Sequence, residues 1–325
     1  MRRVVLSCLA SLALYFALFA TVLDRPLSNG FLSHQIDTKL ARGAAIEGVK
    51  LVILAGSNGP YSHRCETIAP IIGRPCVNAG VAVGIGLDYL FARWEPLLRP
   101  GDAVYLPMES TQYSRARLEN TLGPDAAILF RHDWATLSGL APDRWLGAAF
   151  AFDLRALVMS GIEVLYRRDV DTGENNASGD RVGHIPALGV GAARLLAMHP
   201  VFPTDRQIAF GYGTALIAGF TERMSTRGVV VIGGLSTHFA DTPLSDPQIA
   251  AMQAAYTGHG GRFLMLDNRS GYPRSAFFDS SAHLNETAQI LHSQLVGMAL
   301  LALLKPTSAD QVIARAASAG SVVPP

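Results

Sequence analysis

Cysteine is scarce in this chain, with three in 325 residues. They can form one disulfide at most, and no C-x-x-C pair is present, which excludes a disulfide framework and the common zinc and dithiol redox centres. Charge is scarce too. Only 16% of residues are Asp, Glu, Lys or Arg, and 27 basic against 26 acidic side chains leave a formal net charge of +1. That balance offers no basic surplus to neutralise a phosphate backbone, so nucleic acid is not an expected partner. No G-x-x-x-x-G-K-[ST] and no complete G-x-G-x-x-G occurs, and neither a cofactor nor a metal is expected. Internal repeats are absent. What remains is apolar: 49% hydrophobic residues are too many for a disordered chain and enough for a large core.

The longest uncharged run is residues 4–23, VVLSCLASLALYFALFATVL, which as a helix would span about 30 Å, the thickness of bilayer hydrocarbon. Arg2 and Arg3 precede it. The positive-inside rule then holds the amino terminus in the cytoplasm and sends everything after Asp24 across the membrane. A cleaved signal peptide is the rival, with an apolar core of usually about 7 to 15 residues and a small-x-small cleavage site. This run is longer and Leu18 with Ala20 makes a poor site, so residues 1–23 are expected to be a single uncleaved anchor. Cys8 lies in the span. Cys65 and Cys76 would face an oxidising space, and the sequence leaves open whether they pair or remain two buried thiols.

Residues 24–46 read as an amphipathic juxtamembrane helix and connector, with Phe31, Ile36, Leu40 and Ala44 near helical spacing. Beyond it, short apolar runs at 49–55, 76–80, 102–107, 228–234 and 262–267 alternate with helical patterns. Such continuous runs are strands buried on both faces. Their alternation with helices predicts an α/β domain over 47–305, doubly wound, with a largely parallel five-stranded sheet. Residues 285–304 read as a final helix with Asn285 at its N-cap and Glu286 in its first turn. No clear strand occurs across about 110–227, which reads as a large, mostly helical insertion forming a cap or lid. Within it, 171–180 reads as a loop, and 306–325 as a disordered tail.

In an open α/β sheet, ligands bind outside the carboxyl ends of the strands. The first strand runs into Ala55-Gly56-Ser57-Asn58-Gly59, which projects the Ser57 hydroxyl from a tight bend and offers helix N-terminal N–H groups to an anion. A Gly-Ser turn of this kind is more often only a turn. The second strand ends at Asn78-Ala79-Gly80, where a backbone N–H can approach a ligand with no Cβ in the way. After the last strand, Asp279 and His283 lie four residues apart; in a helical turn they would share one face, letting the carboxylate reach Nδ1 and leaving Nε2 free as a base. An Asp and His pair alone is more often a surface or capping pair. Together, Ser57, Asp279 and His283 supply nucleophile, orienter and base. Asn58 reads either as an extra amide donor or as a helix cap, His63 more as a partly exposed helical side chain than as a catalytic one, and Gly179, Asp180 and His184 as residues that either reach the site from the insertion or, more often, order the loop.

With Gly56-Ser57-Asn58, Asn78-Ala79-Gly80 and Asp279 through His283-Leu284-Asn285, the chain resembles the SGNH (GDSL-like) hydrolase superfamily over about 48–110 and 228–304. The single anchor, the His-Leu-Asn ending and the large middle segment are similar to the membrane-anchored SGNH-like proteins linked to acylation of bacterial surface polysaccharides, among them relatives of the alginate O-acetylation proteins. The chain departs from the family's pattern in two places. Where the family carries an Asn that completes the oxyanion hole, this chain has Glu109, and three residues rather than two separate Asp279 from His283.

The resemblance implies a periplasmic domain on an inner-membrane anchor that acts on acyl esters, acetyl esters above all, of a surface or exported polysaccharide. The activity expected is O-acyltransferase or esterase through an acyl-serine. Ser57, Asp279 and His283 would be catalytic, Ser57 and Gly80 would hold the oxyanion, and Asn58 and Glu109 would line the site. Expected partners are a carbohydrate or acyl-ester substrate, the membrane and polysaccharide-assembly proteins. The alternative is a non-catalytic glycan-binding or assembly scaffold on a degenerate SGNH fold.

Overall fold

The structure is a computed structural model and describes residues 1–22, 27–117, 127–150, 158, 162 and 175–305. Five strands form the main sheet: β1 (Leu51–Ile53), β2 (Cys76–Asn78), β3 (Ala103–Leu106), β4 (Val230–Gly234) and, after β5 (His238–Phe239), β6 (Arg262–Leu264). Their order is β2-β1-β3-β4-β6, with every neighbouring pair parallel. Each expected apolar run contains one of these strands, shorter than the run itself. β5 pairs with β7 (Gly271–Tyr272) in a separate parallel ribbon. Two-residue strands carry no periodic signal, which is why the sequence did not mark them.

In chain order, the helices among the described residues are α1 (Arg2–Val22), α2 (Leu27–Ala45), α3 (Asn58–Ser62), α4 (Cys65–Ile72), α5 (Leu87–Trp94), α6 (Ser110–Ser114) and α7 (Ala127–His132). They continue with α8 (Trp134–Ser138), α9 (Pro142–Ala149), α10 (Val190–Ala197), α11 (Asp205–Ala209), α12 (Tyr212–Thr226), α13 (Asp246–Thr257) and α14 (Glu286–Leu304). Because strand side chains alternate, both sheet faces are apolar. Leu51, Ile53, Ala103, Tyr105 and Ile232 join Ile68 and Ile72 of α4 and Val296 and Leu300 of α14 in one core. Val52, Leu54, Val77, Val104, Leu106 and Val231 form the other core with residues of α2, α5, α12 and α13. Helices therefore cover both faces.

Several expectations change here. Helix α12 lies within the expected insertion, yet Ile217, Phe220 and Met224 are fully buried in the sheet core, so this part belongs to the helical layer and not to a lid. On α2 the buried stripe is Leu32, Ile36, Lys39 and Leu40, while Ala44 is exposed; the Phe31 side chain lies outside the described residues. Most of the apolar stretch around 151–174 and the tail 306–325 also lie outside them. Cys65 of α4 and Cys76 of β2 form a disulfide, with Cα atoms 5.2 Å apart, and Cys8 is free.

Helix α1 is long and apolar enough to cross a membrane, and almost all of its span is exposed. Helix α14 passes the same test of length and composition, but Ala288, Gln289, His292, Val296 and Leu300 are buried, and it packs against α4. It is a core helix of the α/β domain. Asn285 caps it by accepting a hydrogen bond from the Ala288 N–H at 3.1 Å, as its sequence signature predicts.

Candidate active site

The sheet order changes direction at β1, which has β2 on one side and β3 on the other. In an open parallel sheet this is the point beside which ligands bind, outside the carboxyl ends of the strands. Ser57 follows β1, Gly80 follows β2 and Glu109 follows β3. Ser57 is the N-cap residue of α3 but makes no side-chain cap hydrogen bond, so its hydroxyl is not spent on the helix. Ser57 Oγ lies 2.8 Å from His283 Nε2, and His283 Nδ1 lies 2.7 Å from Asp279 Oδ1. The three residues named from the sequence thus form one hydrogen-bonded chain across 226 positions.

The local reason for the Asp279 and His283 contact differs from the expected one. Residues 278–283 are a tight loop, not a helical turn. Phe277 and Leu284 form an antiparallel bridge, and the Phe278 N–H donates to His283 O at 2.9 Å. That closure folds the loop back on itself and brings the two side chains together, so the three intervening residues are accommodated. The loop is also tied from behind, since Thr237 Oγ1 donates to Ala282 O at 2.8 Å and Ser62 Oγ lies 2.8 Å from both groups. Burial by itself raises the Asp279 carboxyl, but the hydrogen bond and charge of His283, with Arg194 and Arg181 nearby, outweigh it and hold the group below its ordinary value. It is ionised at neutral pH, as an orienter of imidazole must be.

Gly80 is required by space. A Cβ there would lie 2.6 Å from Pro60 Cδ and 2.8 Å from Gly56 O. Its N–H makes a long contact, 3.3 Å, to Asn78 Oδ1. The N–H of Ser57, the N-cap residue, precedes the hydrogen-bond ladder of α3. Asn58 is neither a cap nor a spare donor of the expected kind. Its Nδ2 donates to Pro107 O at 2.7 Å, tying the ends of β1 and β3 together, and among the described residues its Oδ1 has no hydrogen-bond partner. Glu109 does reach the turn, because a Cβ on Gly56 would lie 3.3 Å from Glu109 Oε1 and equally 3.3 Å from Asn58 Oδ1. Burial raises the Glu109 carboxyl above its ordinary value, with His283 and Arg115 pulling it partly back.

His63 is fully buried, against the expectation of partial exposure. It caps the C-terminus of α3 and its Nε2 lies 3.3 Å from His292 Nε2, whose Nδ1 in turn meets the Tyr272 hydroxyl at 2.8 Å. Burial lowers His63 to about 4 and His292 well below the ordinary imidazole value, and it also lowers His184 to about 4. All three are neutral in the folded protein at pH 7. Between about pH 6.5 and 4 the unfolded chain protonates these rings while the folded one does not. Stability should therefore fall as pH drops through that window; melting temperature measured from pH 7 to 5 checks this, with His63→Asn expected to flatten the curve.

Two further residues, Tyr61 and Lys39, went unread in the sequence. Tyr61 stacks on the His283 ring with centroids 4.2 Å apart and planes at 12°, and His184 packs edge-on against Tyr61 at 5.4 Å. Lys39, buried in α2, donates from Nζ to Gly80 O. Burial lowers its amine to about 7, with Asp180 acting in the opposite direction. Asn78 Nδ2 lies 3.0 Å from Gly59 O, His63 O and Asp180 Oδ1, and Asn176 Nδ2 donates to the second Asp180 oxygen at 3.0 Å. The 175–180 loop is thereby clamped under the Asn78-Ala79-Gly80 turn, which is the ordering role expected of Asp180. In the sequence Lys39 is simply a lysine next to the apolar Ile36 and Leu40 of an amphipathic helix, and only its burial sets it apart. Among the described residues, no group of three or more His, Cys, Asp or Glu is placed to hold a metal ion. No protein-family model matches the chain, and no curated protein matches it.

Proposed function

We propose that this chain is an SGNH-like serine enzyme on a single membrane anchor, acting on acyl esters, acetyl above all, of an exported polysaccharide as O-acyltransferase or esterase. The observation that carries the reading is the unbroken Ser57–His283–Asp279 hydrogen-bond chain at the strand ends. In the reaction, His283 Nε2 accepts the Ser57 Oγ proton as Oγ attacks the acyl carbonyl, while Asp279 stabilises the imidazolium through Nδ1–H. The N–H groups of Ser57 and Gly80 would face the oxyanion. His283 then returns the proton to the leaving oxygen, and a sugar hydroxyl or water resolves the acyl-serine by the reverse sequence. Glu109 in place of the family's Asn favours the rival reading of a non-catalytic scaffold. A binding protein, however, gains nothing from a histidine held at 2.8 Å from a serine that does not cap its helix. The test is turnover of a chromogenic acetyl ester by the purified full-length protein beside Ser57→Ala; equal rates for the two would refute the enzyme.

The positive-inside rule supports a periplasmic location for the domain. A phosphatase reporter fused after residue 325 should accordingly be active, and a reporter that works only in the cytoplasm should be silent. The reverse pattern would reject the orientation.

Lys39 bears on the same site as a positioning residue, because its amine holds the carbonyl of Gly80. Above about pH 7 the amine loses its charge and donates less strongly. Ester turnover is expected to show a falling limb near that pH in the wild type. Lys39→Met should run more slowly at every pH, with kcat and not KM affected, and should lack that limb; an unchanged pH profile would reduce Lys39 to packing.

A further inference from the structure

Helix α1 does not stand clear of the rest of the chain. Tyr15 donates its hydroxyl to Ala149 O at 2.7 Å and stacks on Phe150 with centroids 5.3 Å apart; Phe16 meets Phe150 edge-on at 5.9 Å and Phe19 meets Phe130 at 5.6 Å. These contacts come from α7 and from the end of α9. Only residues 4–14 of the apolar run lie before the first of them, and eleven residues span about 16 Å at the helical rise, half the thickness of bilayer hydrocarbon. An α1 that crosses the bilayer must therefore bury Tyr15, Phe16 and Phe19 in it. With the run ending at residue 23, Tyr15 lies about 12 Å inside the near boundary, and whatever touches it lies at that depth too.

The segment that touches it has the chemistry for that depth. Trp134, Leu146 and Phe150 are exposed by 48%, 63% and 45%, and Leu146 and Phe150 are one turn apart on α9 and its cap. In lipid, a tyrosine hydroxyl and a helix-terminal carbonyl each cost free energy unless paired, and here Tyr15 pairs with a last-turn carbonyl of α9. On α9 the polar groups sit at the other end, and between α7 and α8 Asp133 is paired with Arg93 at 3.0 Å and accepts from the Tyr89 hydroxyl at 2.7 Å. Asp143, at the start of α9, makes an ion pair with Arg117 at 2.7 Å, with both side chains about half exposed. Phe150 lies seven positions on, about 10 Å along a helix, so with Phe150 about 12 Å deep Asp143 comes up to the boundary of the hydrocarbon. Arg144 is buried and ion-paired with Asp88 at 3.2 Å.

We infer that α7 to α9 form a membrane seat: the edge of segment 127–150 that carries Trp134, Leu146 and Phe150 enters the leaflet on the domain's side, beside α1, with lipid acyl chains covering those three side chains. The seat rests on α1 as a span and is independent of the proposed ester chemistry. Its effect would be to hold the domain at the lipid surface in one orientation, where a one-helix tether would leave it free to tumble.

The test uses the full-length protein in the Cys8→Ala background, since Cys65 and Cys76 are disulfide-bonded. Leu146→Cys, Phe150→Cys and, as a control, Phe210→Cys, a site 84% exposed, are labelled with an environment-sensitive fluorophore and reconstituted in phosphatidylcholine vesicles. Leu146 and Phe210 are mostly exposed, so folding is not at stake at either; Phe150 also packs on Tyr15 and Phe16, so the label at 146 decides if the 150 variant lowers the melting temperature. Labels at 146 and 150 should lose fluorescence to spin labels carried on the lipid acyl chains and resist aqueous iodide, with the 210 label showing the opposite pattern. Iodide quenching at 146 and 150 would overturn the seat. So would shielding from both quenchers, because that result means a second copy or another protein covers the face. Extraction of the wild type by alkaline carbonate would overturn it as well, by removing α1 from the bilayer.

Discussion

Ser57→Ala and His283→Ala are each expected to lower acetyl-ester turnover by about 10⁴-fold or more, and the double variant should be no worse than the more damaging single change. The reason is that the two act through one hydrogen bond. Without His283 Nε2 at 2.8 Å, Ser57 Oγ keeps its proton and is a weak nucleophile; without Ser57, the imidazole has no proton to take. Asp279→Asn should be damaging too, because an amide cannot hold Nδ1–H as a carboxylate does. Its effect is expected to be smaller than either of the others, since the Asp279 side chain is 48% exposed and water can partly replace it. Folding is not the cause of these losses. Thermal midpoints of the serine and histidine variants should stay close to the wild type, and active-site labelling by a fluorophosphonate should disappear in Ser57→Ala. If the double variant lost much more activity than either single one, the two side chains would be acting independently and the triad reading would fail.

The second large effect concerns Glu109, which sits against the Ser57 turn where the resembled family places an amide donor. A carboxylate there repels the developing oxyanion, whereas a protonated carboxyl can donate to it. Burial favours the protonated form of Glu109, and His283 and Arg115 oppose that. Glu109→Gln supplies a donor that does not titrate. The ratio of kcat/KM for the variant to that of the wild type should therefore rise with pH, from near unity where Glu109 is protonated toward about 10²-fold or more where it is ionised, the range found for removing one oxyanion donor. A ratio constant with pH would mean that Glu109 does not face the oxyanion. A variant that hydrolyses a small ester normally but transfers poorly to a carbohydrate would instead place Glu109 on the acceptor sugar.

What the sequence by itself determined is what local chemistry specifies. Runs such as VVVIGG have no polar face and can only be strands covered on both sides, and the parallel sheet with helices on both faces follows from their alternation with helices. Ser57, Gly80, Asp279 and His283 were legible because each lies at a strand end or beside a helix start, and parallel strands gather their carboxyl ends at one edge. The tertiary structure alone decided the rest. Whether Cys65 and Cys76 pair depends on their 5.2 Å Cα separation, which follows from how α4 packs on the sheet edge. That α12 is core rather than lid depends on what covers Phe220, and that His63 is a buried neutral ring depends on α14 arriving with His292. Lys39 on Gly80 and Asp180 under Asn78 join segments 41 and 102 positions apart, where no turn signal or periodicity reaches. Such buried polar contacts are chosen by the demand that every desolvated donor find an acceptor, and that demand arises only once the chain has closed around it.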